Sequence, residues 1–192
     1  MRIVVAVAVC LLWALAPVAV QPVAAQTAKI ETTLGTITVA LDAAHAPRTV
    51  ANFIAYAKEG HFDGTVIYRV VPGFVIQMGS YEADGSERPK HDPIALESAN
   101  GLKNLRGTLS MARNDDPGSA TAEFFINLSD NPELDPKAGD APNTTGYAVF
   151  AKVIDGMDTV DRIAQSPLGG KGPFPEAAPA IPVTITRVTV GP

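Results

Sequence analysis

The sequence predicts a mainly β fold, either a closed antiparallel barrel or a sandwich, with two helices packed against it. Short runs of β-branched and aromatic residues recur between positions 29 and 190, and turn-forming residues separate them. About eight such runs are present, while helical spacing occurs in two segments, 46–60 and 155–164. Closing a sheet of many short strands removes its exposed edges, which favours the barrel and predicts that the terminal strands pair.

The first hairpin is predicted over Lys29–Leu41, because apolar and polar residues alternate on both sides of a Leu34-Gly35 turn. The spacing of apolar residues then changes from two to about 3.6 over Ala46–Gly60. Pro47 suits the first turn of a helix, and the glycine at the end of the segment suits its C-terminal cap. This helix presents an apolar face that must cover part of the sheet.

A second hairpin, which we call the central hairpin, is predicted over Gly64–Gly79. Its strands Thr65–Val71 and Phe74–Met78 flank Pro72-Gly73, in which proline sets φ at the first corner of a turn and glycine accepts a positive φ at the second. The remaining predicted strands are Thr108–Ala112, Glu123–Asn127, Tyr147–Val153 and Val183–Val190, with a second helix over Asp155–Ala164.

Two polar residues interrupt the central hairpin, Arg69 and Gln77. A buried guanidinium is costly unless it is hydrogen-bonded or faces a ligand cavity. From the hairpin alone, Arg69 is therefore either a solvent-facing residue on the outer side of a half-exposed strand or the mark of a site.

Residues 1–25 have the layout of a secretory signal peptide, predicted to be cleaved after Ala25. Arg2 precedes the apolar run 3–16, and the segment ends in small residues. An uncleaved membrane anchor is the alternative, since the apolar region is long enough to cross a bilayer.

The remaining chain, Gln26–Pro192, has 167 residues and is expected to form a single domain and a monomer. Cys10 is the one cysteine and lies in the leader, so disulfides are not expected, and export to a bacterial periplasm fits. Without Arg2 the chain carries 14 basic and 20 acidic residues, a net charge of −6, which argues against nucleic acid as a partner. His45, His61 and His91 lie in separate loops and are predicted to be surface residues, so no metal site is expected.

Three segments, in order, resemble the cyclophilin peptidyl-prolyl isomerases: VIYRVVPGFVIQMG at 66–79, GTLSMA at 107–112 with EFFIN at 123–127, and GYAVFAKV at 146–153. The similarity extends from about Lys29 to Val190. Tyr147, where many members have histidine, and the leader make the chain similar to periplasmic bacterial cyclophilins. The resemblance implies an eight-stranded antiparallel barrel capped by two helices, and no metal, nucleotide or redox cofactor.

The resemblance also implies the site. Arg69 corresponds to the family's catalytic arginine, and Gln77 to the glutamine that helps to hold the arginine and the substrate. The other substrate-binding residues that it implies are Phe74, Val75, Met111, Phe125, Leu134 and Tyr147 around the proline, Ala112 and Arg113 through their backbone, and Glu123.

Two acidic residues depart from the family pattern. Glu123 stands where glutamine is usual, and we expect its carboxylate to pair with Arg69 or Arg113 or to weaken the binding of acidic peptides. Glu133 replaces an aromatic residue at the pocket rim, which argues against tight binding of the cyclosporin drug class.

The activity implied is rotation of Xaa-Pro peptide bonds in exported proteins that are folding. Unaided, that rotation faces a barrier of about 18–20 kcal/mol. At the twisted transition state the prolyl nitrogen becomes a hydrogen-bond acceptor, so a guanidinium directed at it binds the transition state more tightly than either ground state. Two alternatives are a module that binds proline-containing segments with little turnover and a structural envelope component tethered by an uncleaved leader.

Overall fold

The computed structural model describes residues 26–191, so the predicted leader lies outside the described residues. The elements, in chain order, are β1 Thr27–Thr32, β2 Gly35–Leu41, α1 Pro47–Lys58, β3 Ile67–Val71, β4 Val75–Met78, β5 Thr108–Met111, β6 Phe124–Asn127, β7 Val149–Asp155, α2 Met157–Ala164 and β8 Ile185–Gly191. Each predicted element is present, with bounds within two residues of those expected. A short 3-10 turn at Pro132–Leu134 was not predicted. Within residues 26–191, neither helix has the length and apolar character needed to cross a bilayer.

The eight strands form one antiparallel sheet in the order β3-β4-β6-β5-β7-β2-β1-β8. Helix α1 packs against β8 and β7, and α2 packs against β2, β3 and β4. The mainly β, antiparallel prediction with two helices is therefore confirmed, and the described residues form a half-barrel. The first and last strands, β1 and β8, pair as expected, but this pairing does not close the sheet, because its two edges are β3 and β8.

The edge strands β3 and β8 meet at a seam rather than along a continuous ladder. Val66 and Thr184 form an isolated bridge there. The amide of Ile67 donates to the carbonyl of Val183 at 2.9 Å, and the amide of Ile185 donates to the carbonyl of Thr65 at 2.8 Å. These contacts bring the two edges of the sheet together over a few residues.

The core is organised around Phe53 of α1. Its ring centroid lies 5.3 Å from that of Phe62, 5.5 Å from that of Phe124 and 5.4 Å from that of Phe150. All four side chains are at most 1% exposed. The predicted apolar face of the helix thus covers the sheet, and Phe124 and Phe150 fix its position on β6 and β7.

The N-terminus of α1 is capped from a distant loop. Ala46 at the N-cap position provides no side-chain acceptor for the free amides of the first turn. The Glu97 carboxylate accepts instead from the amide of Arg48 at 3.1 Å and from the amide and hydroxyl of Thr49 at 2.9 and 2.8 Å. A negative charge at this end also complements the helix dipole, so the contact fastens the loop that contains Glu97 to the helix.

Candidate active site

A bulge in the central hairpin determines where Arg69 lies. Ile67 is paired with Met78 and Arg69 with Gln77, so Tyr68 is the extra residue between them. Bulges redirect side chains. Here two successive residues contact the ring of Phe174: Tyr68 does so through its ring, and Arg69 through its guanidinium.

Arg69 and Gln77 face each other across the hairpin. Nη1 of Arg69 donates a hydrogen bond to Oε1 of Gln77 at 3.1 Å. The hairpin closes as predicted, because Gly73 has a φ of 73° and the amide of Phe74 donates to the carbonyl of Val71 at 3.0 Å.

A cavity of about 230 Å³ opens beside this pair. Nine of the eleven predicted site residues line it, together with one that was not predicted, Phe174. The lining residues are Arg69, Phe74, Val75, Gln77, Ala112, Arg113, Phe125, Leu134, Tyr147 and Phe174. Two predicted residues lie elsewhere: Met111 is buried in the core at 2% exposure, and Glu123 lines a neighbouring cavity.

Aromatic contacts fix the rim of the cavity at Tyr147. Its ring meets the edge of Phe125 at 5.4 Å, and the guanidinium of Arg113 lies 4.9 Å from its centroid. Nε of Arg113 also donates to the carbonyl of Gly146 at 3.0 Å. Only glycine fits at position 146, because φ is 72° and a Cβ there would lie 2.5 Å from the nitrogen of Pro136.

A buried chain of asparagines joins two sides of the cavity. Nδ2 of Asn131 donates to the carbonyl of Phe74 at 3.0 Å and to Oδ1 of Asn127 at 2.8 Å. Asn127 in turn donates to Oδ1 of Asn104 at 3.3 Å, and Asn104 donates to the carbonyl of Leu134 at 3.1 Å. This network was not predicted, although the sequence contains one signal of it: Asn127 is a polar residue at the end of a strand that is otherwise apolar and is fully buried.

The expectation that Glu123 pairs with Arg69 or Arg113 is wrong. Its carboxylate accepts a hydrogen bond from the hydroxyl of Tyr68 and lies 3.5 Å from Nζ of Lys90. The bulge explains the first contact, since it places the Tyr68 hydroxyl beside Glu123, the residue that precedes β6.

Burial affects both members of the Tyr68–Glu123 pair. It raises the pKa of Glu123 above its ordinary value, although the Tyr68 hydroxyl and Lys90 oppose the change. Burial, together with the neighbouring Glu123 carboxylate, raises the pKa of Tyr68 far above its usual range. Tyr68 is therefore a permanent hydrogen-bond donor to Glu123.

Glu123→Gln is expected to stabilise the fold at pH 8 and to have little effect at pH 4. Because the pKa of Glu123 is raised by folding, the folded chain binds the proton more tightly than the unfolded chain. The stability that this proton contributes is present below the pKa of the unfolded chain and is lost as the pH rises through the pKa of the folded chain. Glutamine keeps an oxygen acceptor for Tyr68 without the charge.

Melting temperatures of the wild type and Glu123→Gln between pH 4 and pH 8 measure this effect. Glu176→Gln is the control, because Glu176 is exposed and is not among the groups that contact or shift Glu123. A difference between wild type and Glu123→Gln that is constant over this pH range would contradict the assignment.

A larger apolar cavity of about 660 Å³ lies away from Arg69. It is lined by side chains that include Gln26, Leu41, Leu102, Leu105 and Val149. None of the predicted site residues lines it, so the smaller cavity beside Arg69 and Gln77 is the candidate active site.

The prediction of surface histidines holds for His45 and His91 and is wrong for His61. His61 is half-buried, and its Nε2 has no hydrogen-bond partner among the described residues. Burial lowers the pKa of His61, and the charge of Arg88 lowers it further. No group of three or more histidine, cysteine, aspartate or glutamate side chains within residues 26–191 is arranged to hold a metal ion.

Comparisons with known proteins agree with the geometry. The family model of the cyclophilin type peptidyl-prolyl cis-trans isomerases matches residues 27–190. Peptidyl-prolyl cis-trans isomerase A of Dickeya dadantii is 41% identical over 161 residues, covering 84% of this chain and 82% of the relative. Peptidyl-prolyl cis-trans isomerase B of Escherichia coli is 46% identical over 145 residues, covering 76% and 87%. The crystal structure of a cyclophilin type isomerase of Cryptosporidium parvum superposes with a TM-score of 0.71 at 24% identity, covering 87% of this chain and 98% of that one.

Proposed function

The chain belongs to the cyclophilin-type peptidyl-prolyl cis-trans isomerases, and we propose that it rotates Xaa-Pro bonds at the cavity beside Arg69. The observation that carries this assignment is the pairing of Arg69 with Gln77 at the edge of a cavity whose apolar wall includes Phe125, Leu134 and Tyr147. The apolar wall can hold a proline ring by burying its surface. Of the two arginines that line the cavity, Arg113 is held against Tyr147 and Gly146, and Arg69 is paired with Gln77.

In the proposed mechanism, the cavity holds the prolyl ring while the preceding part of the peptide turns. No covalent bond is broken. The Arg69 guanidinium donates to the prolyl nitrogen when the amide loses its resonance, and Gln77 keeps the guanidinium in position. Ala112 and Arg113 line the cavity, and their backbone carbonyls offer acceptors to the peptide, whereas the amide of Ala112 already donates to the carbonyl of Glu123 at 2.8 Å. The enzyme acts as a monomer on proline-containing polypeptides.

Exchange NMR on a short peptide with one Xaa-Pro bond tests this function with residues 26–192. Catalysis predicts exchange cross-peaks between the cis and trans forms at enzyme concentrations far below that of the peptide. The competing binding module predicts shifts of the peptide signals without exchange between the two forms, and that outcome would overturn the proposed turnover.

We also propose that the substrates are exported proteins and that the chain acts in the periplasm. Support comes from the order of Arg2, the apolar run 3–16 and the small residues before Gln26. Mass spectrometry of the periplasmic protein is expected to find Gln26 at the N-terminus. An intact Met1 would favour the tethered alternative instead.

A further proposal is that the sheet closes into a barrel at the seam between β3 and β8. The amides of Ile67 and Ile185 donate to backbone carbonyls across it. Closure predicts that both amides exchange with solvent as slowly as amides in the centre of the sheet, such as that of Ile126. Exchange as fast as that of loop amides would show an open edge.

A further inference from the structure

One aromatic residue beside Arg69 was not expected at the site, Phe174 of the loop 166–182. It lines both the cavity beside Arg69 and the neighbouring cavity of about 330 Å³ that Glu123 lines. Its ring therefore forms part of the wall between the two cavities. The Phe174 side chain is 41% exposed to solvent, and this exposure does not contribute to the stability of the fold.

The ring contacts the arginine directly. The centroid of Phe174 lies 5.5 Å from Cζ of Arg69, within the range of a cation–π contact. It also lies 6.3 Å from the ring of Tyr68, and the two planes differ by 19°. Tyr68 is 1% exposed, and its hydroxyl donates to Glu123, so Phe174 rests on a fixed residue.

Backbone contacts hold the loop in place at this point. The amides of Ala177 and Ala178 both donate to the carbonyl of Phe174 at 2.9 Å. The amide of Val70, the residue after Arg69, donates to the carbonyl of Ala177 at 2.7 Å. Prolines on both sides of Phe174, at 173 and 175, reduce the freedom of the backbone further. The loop is therefore fastened to β3 next to the arginine.

We infer that Phe174 is a positioning residue for Arg69, an inference that rests on the proposed catalytic role of that arginine. A guanidinium on a long side chain has many rotamers, and fixing it costs conformational entropy. The hydrogen bond that Nη1 donates to Oε1 of Gln77 restrains one end of the group. The Phe174 ring restrains its plane as well, so that the remaining donors are directed toward the cavity before substrate binds.

The variant Phe174→Leu separates the effect of the aromatic ring from the effect of a large apolar side chain. Leucine keeps an apolar wall between the cavities but has no π-face, so we expect kcat to fall about two- to fivefold, the size of an exposed cation–π contact, with little change in KM. Phe174→Tyr keeps the ring and is expected to restore kcat. The Nε–Hε signal of Arg69 in the NMR spectrum should broaden or shift in the leucine variant and return in the tyrosine variant.

Ile181→Ala is the matched control, because Ile181 belongs to the same loop, is 83% exposed and lines neither cavity. It is expected to leave kcat, KM and the Arg69 signal unchanged. A Phe174→Leu enzyme with wild-type kcat, or with a changed KM alone, would overturn the inference. Arg69→Ala, assayed in parallel, separates the two proposals. If Arg69→Ala is inactive while Phe174→Leu is fully active, the positioning role of Phe174 is wrong and the catalytic role of Arg69 stands. If Arg69→Ala is fully active, the catalytic role of Arg69 is wrong, and the positioning role of Phe174 is wrong with it.

Discussion

Arg69→Ala is expected to lower kcat/KM for an Xaa-Pro peptide by about 10²- to 10³-fold, the loss typical of removing one preorganised donor at a transition state. The guanidinium lines the cavity and already donates to Gln77, so it needs little reorganisation when the amide twists. The fold should be retained, because Arg69 is only half-buried and is not part of the core. A protease-coupled assay and exchange NMR on the same peptide measure the loss.

Further variants test whether geometry matters as well as charge. Arg69→Lys keeps the positive charge without the rigid fork of donors, and we expect it to lose most of the activity. Gln77→Ala removes one hydrogen bond to a charged group and is expected to cost about tenfold in kcat/KM. Arg187→Ala is the control, since Arg187 is exposed on β8 and lies outside the cavity. Activity of Arg69→Ala within twofold of wild type would remove Arg69 from the mechanism.

The sequence predicted the hairpin that contains Arg69 because its signals are local. Runs rich in β-branched and aromatic residues define both strands, and Pro72-Gly73 defines the turn, all within fifteen residues. The pairing of Arg69 with Gln77 follows from the length of the turn and the position of the bulge. The gathering of Phe125, Leu134 and Tyr147 was implied by resemblance, since no local pattern connects three segments so far apart in the chain.

The residues that the sequence misplaced depend on contacts between distant segments. Glu123 contacts Tyr68 and Lys90, which are 55 and 33 positions away in the chain. The bulge that makes the contact with Tyr68 possible has no signature in the sequence. The cap that Glu97 provides for α1 spans 48 positions. Phe174 lies in the loop 166–182, where no strand or helix was predicted, and its role depends on how that loop lies against β3.

Phe53→Ala is expected to destabilise the fold by about 3–5 kcal/mol, the range for truncating a large buried aromatic residue. Its ring contacts three other phenylalanines, from a loop and two strands, and it joins α1 to the sheet. These neighbours belong to separate parts of the backbone, so they cannot all move to fill the space. Urea unfolding of residues 26–192 measures the change in the free energy of unfolding.

Phe174→Ala is the matched control for this experiment, because it removes the same atoms from a residue that is 41% exposed. We expect a change in stability below about 1 kcal/mol, as is usual away from a core. The two variants should thus have opposite signatures. Phe53→Ala should lose stability and keep kcat below its melting temperature, whereas Phe174→Ala should keep stability and have a lower kcat.

The physical reason for this separation lies in strand β6. Phe124 and Phe125 are consecutive and point to opposite faces of the sheet, so Phe124 packs on Phe53 while Phe125 contacts Tyr147 at the cavity. The strand backbone, paired with β4 and β5 on its two sides, stands between the core and the site. A fall in kcat for Phe53→Ala, measured well below its melting temperature, would show instead that the core cluster helps to shape the proline cavity through β6.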